Sequence, residues 1–345
     1  MVQSRWISVG FERADVEVLA EKLKRIFEER RRSVQVTLDG LVVAKPVPIL
    51  NLFGRVVRGI PVDSSKLRVL EPLPHRKLVV AADASAKVLF NLGAAMIVES
   101  RVVVVAFRGI KRVWEKAAKR VSLVAGRFEA AEWLTRVEYE AVAKALAELS
   151  GAGYLLMDRS LTVAPLYRLT TRELVRKVEA RALALGLTPV GVPKRTRLAL
   201  DTGEGALGYI ARMAERSLGG AAWYYYPLFK EEGLPPWMLG APAAAKLSEL
   251  SRSVLRIDVS RRALARFDCG EVLGEIAALQ DPSSPGYPYP LKAAHEAARI
   301  SEREVEADRI VLLDLMRDWG VEEKLFADSA AYASFKERGL WGDVP

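Results

Sequence analysis

Between residues 78 and 107 the chain passes through three apolar stretches in quick succession, 78–82, 92–98 and 102–107, and only Glu99-Ser100-Arg101 separates the last two. A spacer of that size admits a hairpin and nothing larger, because a parallel crossover needs a dozen residues or more. Three antiparallel strands are therefore expected. Two helical segments follow, about 111–120 and 128–149, the second with Leu134, Ala141, Ala145 and Leu149 on one stripe. Gly151 and Gly153 lead into a fourth strand at 154–157. Thr170 or Thr171 is placed to cap a helix running to Leu185, and residues 188–192 form a fifth strand ahead of Pro193-Lys194. Strands linked by helices at this spacing pair in parallel.

Three antiparallel strands, helix, strand, helix, strand is the element order of the ribonuclease H-like fold, an α/β core with a mixed sheet and flanking helices. Ahead of it, Val16, Leu19, Leu23, Ile26 and Phe27 predict an amphipathic helix over 15–32, whose apolar stripe must be buried in the chain's own core or against a second subunit. Prolines at 46, 48, 61, 72 and 74 break the next stretch into short strands and loops. The expected division is 1–77 as an N-terminal elaboration, 78–200 as the core, 201–285 as a β-rich insertion and 286–345 as C-terminal helices that complete a site.

With 345 residues, half of them hydrophobic, one large core with elaborations is affordable. No window reaches the length of an apolar membrane span and the first residues lack a signal-peptide core, so a soluble, cytoplasmic protein with no membrane partner is expected. Cys269 is the only cysteine, which excludes an intrachain disulfide and a cysteine-based zinc site. Any metal must be held by oxygen ligands and by His75 or His295. The formal charge of +9 suits a polyanionic partner, although a basic, ion-pair-rich composition is also a thermophile trait.

Two apolar runs end on an aspartate followed two residues later by a serine: Asp83-Ala-Ser85 and Asp158-Arg-Ser160. Strand-end carboxylates on neighbouring strands meet at one edge of a sheet, where they can share divalent ions; a pair of ions roughly 4 Å apart activates water and stabilises a leaving oxygen in phosphodiester cleavage. A third acid is sought on the helix before the fourth strand. Glu138 lies on the face of Leu134, Ala141, Val142, Ala145 and Leu149, where a carboxylate costs desolvation unless a cation meets it, while Glu140 lies nearer Lys144 and reads as a solvated pair. Glu138 is the choice. His295 sits about a turn into a helix that Pro290 can open, behind a rigid Tyr287-Pro-Tyr-Pro290 entry, whereas His75 between prolines reads as a loop residue.

Taken together, Ala82-Asp83-Ala-Ser85, Leu156-Met-Asp158-Arg-Ser-Leu161, Gly191-Val-Pro-Lys194 and Tyr287-Pro-Tyr-Pro-Leu291 with His295 resemble the NurA nuclease family, in order and spacing from about residue 78 to 300. The resemblance implies a manganese-dependent nuclease, with magnesium as the alternative ion, acting on DNA ends in the 5′ to 3′ direction and cutting single strands during end resection. It also implies a homodimer and partnership with a hexameric HerA translocase. By position it makes Asp83, Glu138 and Asp158 the metal-binding acids and His295 a fourth ligand or a proton-transfer group. Lys194 would face the scissile phosphate, and Tyr287 would line the site. One departure stands out: Asp158-Arg159-Ser160 stands where the family usually has Asp-Gly-Ser.

Other signals carry less. Gly203-Glu-Gly205-Ala-Leu-Gly208 has the letters of a dinucleotide fingerprint but neither the preceding strand nor the acid about 20 residues on. Residues 223–229, rich in aromatics, read as a core strand before a base-stacking surface. Basic stretches at 111–112, 116–120 and 252–266 are candidates to follow a phosphate backbone. A non-catalytic nucleic-acid-binding subunit of the same fold is the alternative expectation.

Overall fold

The structure is a computed structural model that describes residues 45–318 apart from 53, 195 and 282, together with 21–22, 37–38 and 41–42. The helix expected over 15–32, with its proposed subunit contact, falls almost wholly outside the described residues.

From residue 45 on, three short strands come first, β1 (Pro48–Leu52), β2 (Arg55–Arg58) and β3 (Leu67–Val69). Three long ones follow, β4 (Leu78–Asn91), β5 (Met96–Arg108) and β6 (Lys111–Val124). Then come helix α1 (Arg127–Glu148), strand β7 (Gly153–Met157), helix α2 (Leu169–Ala184) and strand β8 (Leu187–Gly191). The second half holds β9 (Leu198–Leu200), α3 (Ala206–Leu218), β10 (Trp223–Tyr225), β11 (Gly240–Lys246), β12 (Leu255–Ser260) and α4 (Cys269–Ala277), and ends with β13 (Ser284–Pro288), α5 (Tyr289–Ala298) and α6 (Glu302–Asp318).

Nine of these strands form one sheet in the order β3-β10-β11-β12-β8-β7-β4-β5-β6. Strands β4, β5 and β6 are antiparallel, and β7 and β8 run parallel to β4. This is the ribonuclease H-like order. Residues 201–285 extend the sheet with β10, β11 and β12, and β3 closes its far edge. Both faces are covered, which is why the central strands read as unbroken apolar runs. Leu78, Val80 and Ala82 pack with Val142, Leu146 and Val178 of α1 and α2 on one face. Val79, Ala81 and Val103 pack with Leu273, Ile276, Leu291 and Ala294 of α4 and α5 on the other.

Two sequence expectations fail inside the antiparallel unit. Glu99-Ser100-Arg101 is not a turn but the middle of β5, with Ser100 opposite Ala86 and Arg120. The actual turn lies at Leu92–Ala95, closed by Leu92 N–H donating to Ala95 O at 2.8 Å, with Gly93 at φ 79°. Residues 111–120, expected as a helix, begin the third strand β6. That strand forms a sheet edge, nearly all of it exposed, so its Lys and Arg residues reflect solvation and edge protection rather than a helical face.

Polar groups of β4, β5 and β6 are met by α6. Arg101 pairs with Glu304 and Lys119 with Asp308, both at 2.5 Å, Arg309 Nε donates to Leu89 O at 2.7 Å, and Val305 and Leu313 pack on Leu89, Phe90 and Ile97. Glu99, only 2% exposed, faces Asp308, and burial together with that second carboxyl pushes its pKa from 4.5 up to about 7. Among the described residues no helix is long and apolar enough to cross a membrane.

In the folded chain Glu99 holds its proton to about pH 7, whereas unfolded it ionises near 4.5, so its contribution favours folding below 4.5 and is lost as pH rises to about 7. Glu99→Gln should flatten this part of the stability profile; thermal melts of the two proteins between pH 5 and pH 8 that fall in parallel would refute it.

Candidate metal centre

Strand β7 is five residues long and stops at Met157, while its neighbour β4 runs on to Asn91. In register, Ala82 pairs with Met157, and Asp158 N–H donates to Ala82 O at 3.3 Å. The next residues on the two chains are therefore Asp83 and Asp158. Side chains alternate along a strand, so Asp83 continues the face of Val79 and Ala81, and Asp158 that of Tyr154 and Leu156. Both carboxylates come out on the α4/α5 side. Asp83 is not at the end of its strand as expected; it is at the point where its parallel partner ends.

Helix α5 brings the third group. Pro290 lies in its first turn, and Leu291, Ala294 and Ala298, all fully buried, seat it on β4 and β5. Arg101 Nη1 donates to Arg299 O at 2.8 Å just past its end. His295 Nδ1 then lies 2.7 Å from Asp83 Oδ2 and 3.9 Å from Asp158 Oδ2. One ligand atom from each of Asp83, Asp158 and His295 falls within 4.8 Å of the others. From beyond β8, Lys194 Nζ reaches His295 Nδ1 at 2.8 Å and forms an ion pair with Asp158 Oδ2.

The Asp158 side chain is 1% exposed, and neither of its oxygens, nor the neighbouring Tyr287 hydroxyl, makes a well-aligned hydrogen bond. Burial raises the Asp158 pKa, Lys194 opposes that, and the nearby Asp83 charge adds to it. Burial and the Asp158 charge likewise raise that of Tyr287. Lys194 already brings one cation to Oδ2 from the open side, but Oδ1 accepts no hydrogen bond, and a buried carboxylate so placed is costly unless a further cation or donor completes it. Two carboxylates and an imidazole are a donor set that accepts manganese or other divalent ions. The residues present thus fit a divalent metal.

Glu138 stands apart. It comes from α1 on the opposite face of the sheet, and its Oε2 accepts from Arg159 Nη1 at 2.8 Å. Burial is the main reason its pKa rises to about 7; Arg159 works against that, and Asp83 and Asp158 add to it from nearby. It lies outside the three-residue cluster. Glu140 sits in loose ion pairs as expected, but with Arg120 and Arg136 at 3.7 and 3.8 Å rather than with Lys144. His75 is a loop residue but a buried one, with Nε2 3.2 Å from Glu275 O.

Sequence reasoning missed the support beneath the loop after Asp158. Asp258 on β12 is fully buried, accepts Leu161 N–H at 3.1 Å, and is gripped by Arg256 Nε and Nη2 at 2.7 and 2.9 Å. Gly191 lets β8 lie flat against this loop, since a Cβ there would come 2.4 Å from Arg159 O. The signal was present as Arg256 and Asp258, two apart in an otherwise apolar strand and hence on one face.

The other motifs resolve structurally. Trp223 and Tyr225 are core residues, and the glycine-rich stretch is the turn after β9 and the first residues of α3. Many of the basic residues at 111–120 and 252–266 are already paired, Arg112 with Glu115, Lys116 with Glu148 and Arg256 with Asp258 among them. Beside Tyr287 an open depression of about 320 Å³ is bounded by Leu250, Arg252, Ser253 and Ser284.

The NurA nuclease of Sulfolobus solfataricus superposes on 89% of this chain and 98% of its own, with a TM-score of 0.57 at 13% identity. The chain has the NurA fold. Weaker structural matches include human ENDOV, with a TM-score of 0.40 at 14% identity over 71% of this chain and 94% of that one. Another is Ciona intestinalis endonuclease V in complex with DNA, with a TM-score of 0.42 at 15% identity over 67% and 86%. No protein-family model matches the chain, and no curated protein matches it.

Asp258→Ala leaves Arg256 buried and unpaired and frees the loop that positions Asp158. A loss of roughly 3 to 5 kcal/mol in chemical denaturation is expected; an unchanged midpoint and slope would show that the pair supports nothing.

Proposed function

We propose that this chain is a divalent-metal-dependent DNA nuclease. The observation that carries the reading is the convergence of Asp83, Asp158 and His295 where β7 stops, on a sheet of ribonuclease H-like order. These three residues would hold the ion. A divalent ion bound there supplies Lewis-acid polarisation of the phosphate and a more acidic water. Lys194, 44% exposed at the open side, can leave Asp158 to meet the charge that builds on the phosphate. His295 is held against Asp83 through Nδ1, which orients the ring. Tyr287 closes the wall beside Asp158 and faces the depression that offers a path to a strand. Glu138 sits behind, paired with Arg159.

The finer description rests on the motif resemblance, with the NurA fold in its support: manganese as the preferred ion, 5′ to 3′ degradation of DNA ends, cutting of single strands, end resection beside a HerA-type translocase, and a homodimer. A DNA substrate also favours a cytoplasmic location.

A second reading draws on the cations among the acids. Lys194 on Asp158 and Arg159 on Glu138 compensate two of the three carboxylates, as a non-catalytic nucleic-acid-binding subunit would need. Such a subunit would bind DNA with a steep salt dependence and leave it whole.

End-labelled single-stranded DNA, duplex DNA and RNA, each incubated with and without manganese, separate the readings. Manganese-dependent cleavage of DNA is expected. Asp83→Asn and Asp158→Asn should each reduce it by more than roughly 100-fold, beyond what outer-shell changes cost, while circular dichroism stays unchanged. Wild-type activity in either variant would remove the site from consideration.

A further inference from the structure

Arg159 follows Asp158 directly but points to the other side of the strand, toward α1. Its Nη1 donates to Glu138 Oε2 at 2.8 Å, its Nη2 donates to Thr135 Oγ1 at 2.7 Å, and the guanidinium lies 5.9 Å from the centre of the Tyr139 ring. Thr135 in turn donates to Ala131 O at 2.7 Å, so its oxygen is turned to accept from the arginine. The backbone of Arg159 is pinned as well, because β8 passes over it at Gly191 with no room for a Cβ. This side chain is locked at both ends.

Its charge is also permanent. A guanidinium does not lose its proton in a protein, and its planar fork suits buried carboxylates better than an ammonium does. Lys194 contrasts with it. That ammonium reaches Asp158 from the open side, 44% exposed, on a flexible stem, and can withdraw when an ion enters. Glu138, 5% exposed, has no such freedom: its charge is already matched by a partner that cannot leave.

Two-ion phosphodiesterases hold their metals roughly 4 Å apart between shared carboxylates. Here Asp83 and Asp158 are left for one ion with His295, while the third acid near them is spent on a fixed cation. A second divalent ion would have to displace the guanidinium or sit against it. We propose that Arg159 stands in for the second metal, so that this site takes a single divalent ion. Asp83, Asp158 and His295 hold that ion, with Glu138 as the counter-charge of Arg159 rather than a ligand. This rests on the reading of the cluster as a metal site.

The test is a count. Full-length protein freed of metal by chelation is titrated with manganese chloride, and free ion is followed by electron paramagnetic resonance, with calorimetry for affinity. Wild type should bind one ion per chain. Arg159→Gly, which releases Glu138, should bind two, and the double variant Arg159→Gly with Glu138→Gln should return to one. Arg159→Lys should stay at one. Glu138→Gln alone provides a second measure that does not depend on the folding of the glycine variant: it should keep one ion at wild-type affinity, whereas a ligand role would weaken binding roughly 10- to 100-fold or more. Two ions in the wild type, one in a folded Arg159→Gly, or weakened binding in Glu138→Gln would each overturn the proposal while leaving the nuclease reading intact. No bound ion in the wild type would overturn both.

Discussion

The site depends on one mismatch of strand lengths. Strand β4 is 14 residues long and its parallel partner β7 is five, so the ladder between them stops at the pair Ala82 and Met157. Beyond that rung no strand separates the two chains' next side chains. Because residues alternate faces with a period of two, a shift of register by one residue would turn one aspartate away from the other. Two buried features keep the register in place: the apolar layers packed on both faces, and the hydrogen bond from Asp158 N–H to Ala82 O.

Placing two carboxylates so close, with one almost fully buried, is electrostatically unfavourable, and the surroundings are organised around that cost. Lys194 offers a movable positive charge from the solvent side and His295 a nitrogen from above. On the reverse side of the strand Arg159 neutralises Glu138. The loop carrying these residues is tied down by Asp258, itself held by Arg256. A rigid far side and an adjustable near side are what a site that admits a cation and a polyanion requires.

Much of this was readable from the residues. The repeated Asp-x-Ser at the ends of apolar runs marked Asp83 and Asp158, and the proline-led entry to α5 marked His295, because both signals are local. The division into antiparallel and then helix-linked strands was readable for the same reason. The failures were also physical. A charged tripeptide in an apolar run reads as a turn, yet Glu99 and Arg101 continue β5 because α6, some two hundred residues later, brings Glu304 to Arg101 and Asp308 to a Glu99 that burial keeps protonated. An edge strand with both faces wet carries no period of burial, so β6 resembled a charged helix. Arg159 was recognisable as a departure, but nothing in its neighbours named Glu138 and Thr135 as its partners.

The sequence by itself determined which segments are buried strands and helices and which few polar residues lie at their ends, since burial period, glycines and prolines act over a handful of residues. Only the tertiary structure decided that Asp83, Asp158 and His295 meet while Glu138 faces an arginine. That outcome turns on where β7 stops, on which face of the sheet each helix lies, and on Lys194 reaching Asp158 from the open side while Arg159 is locked onto Glu138. These are set by packing between segments far apart in the chain, and no local pattern carries them.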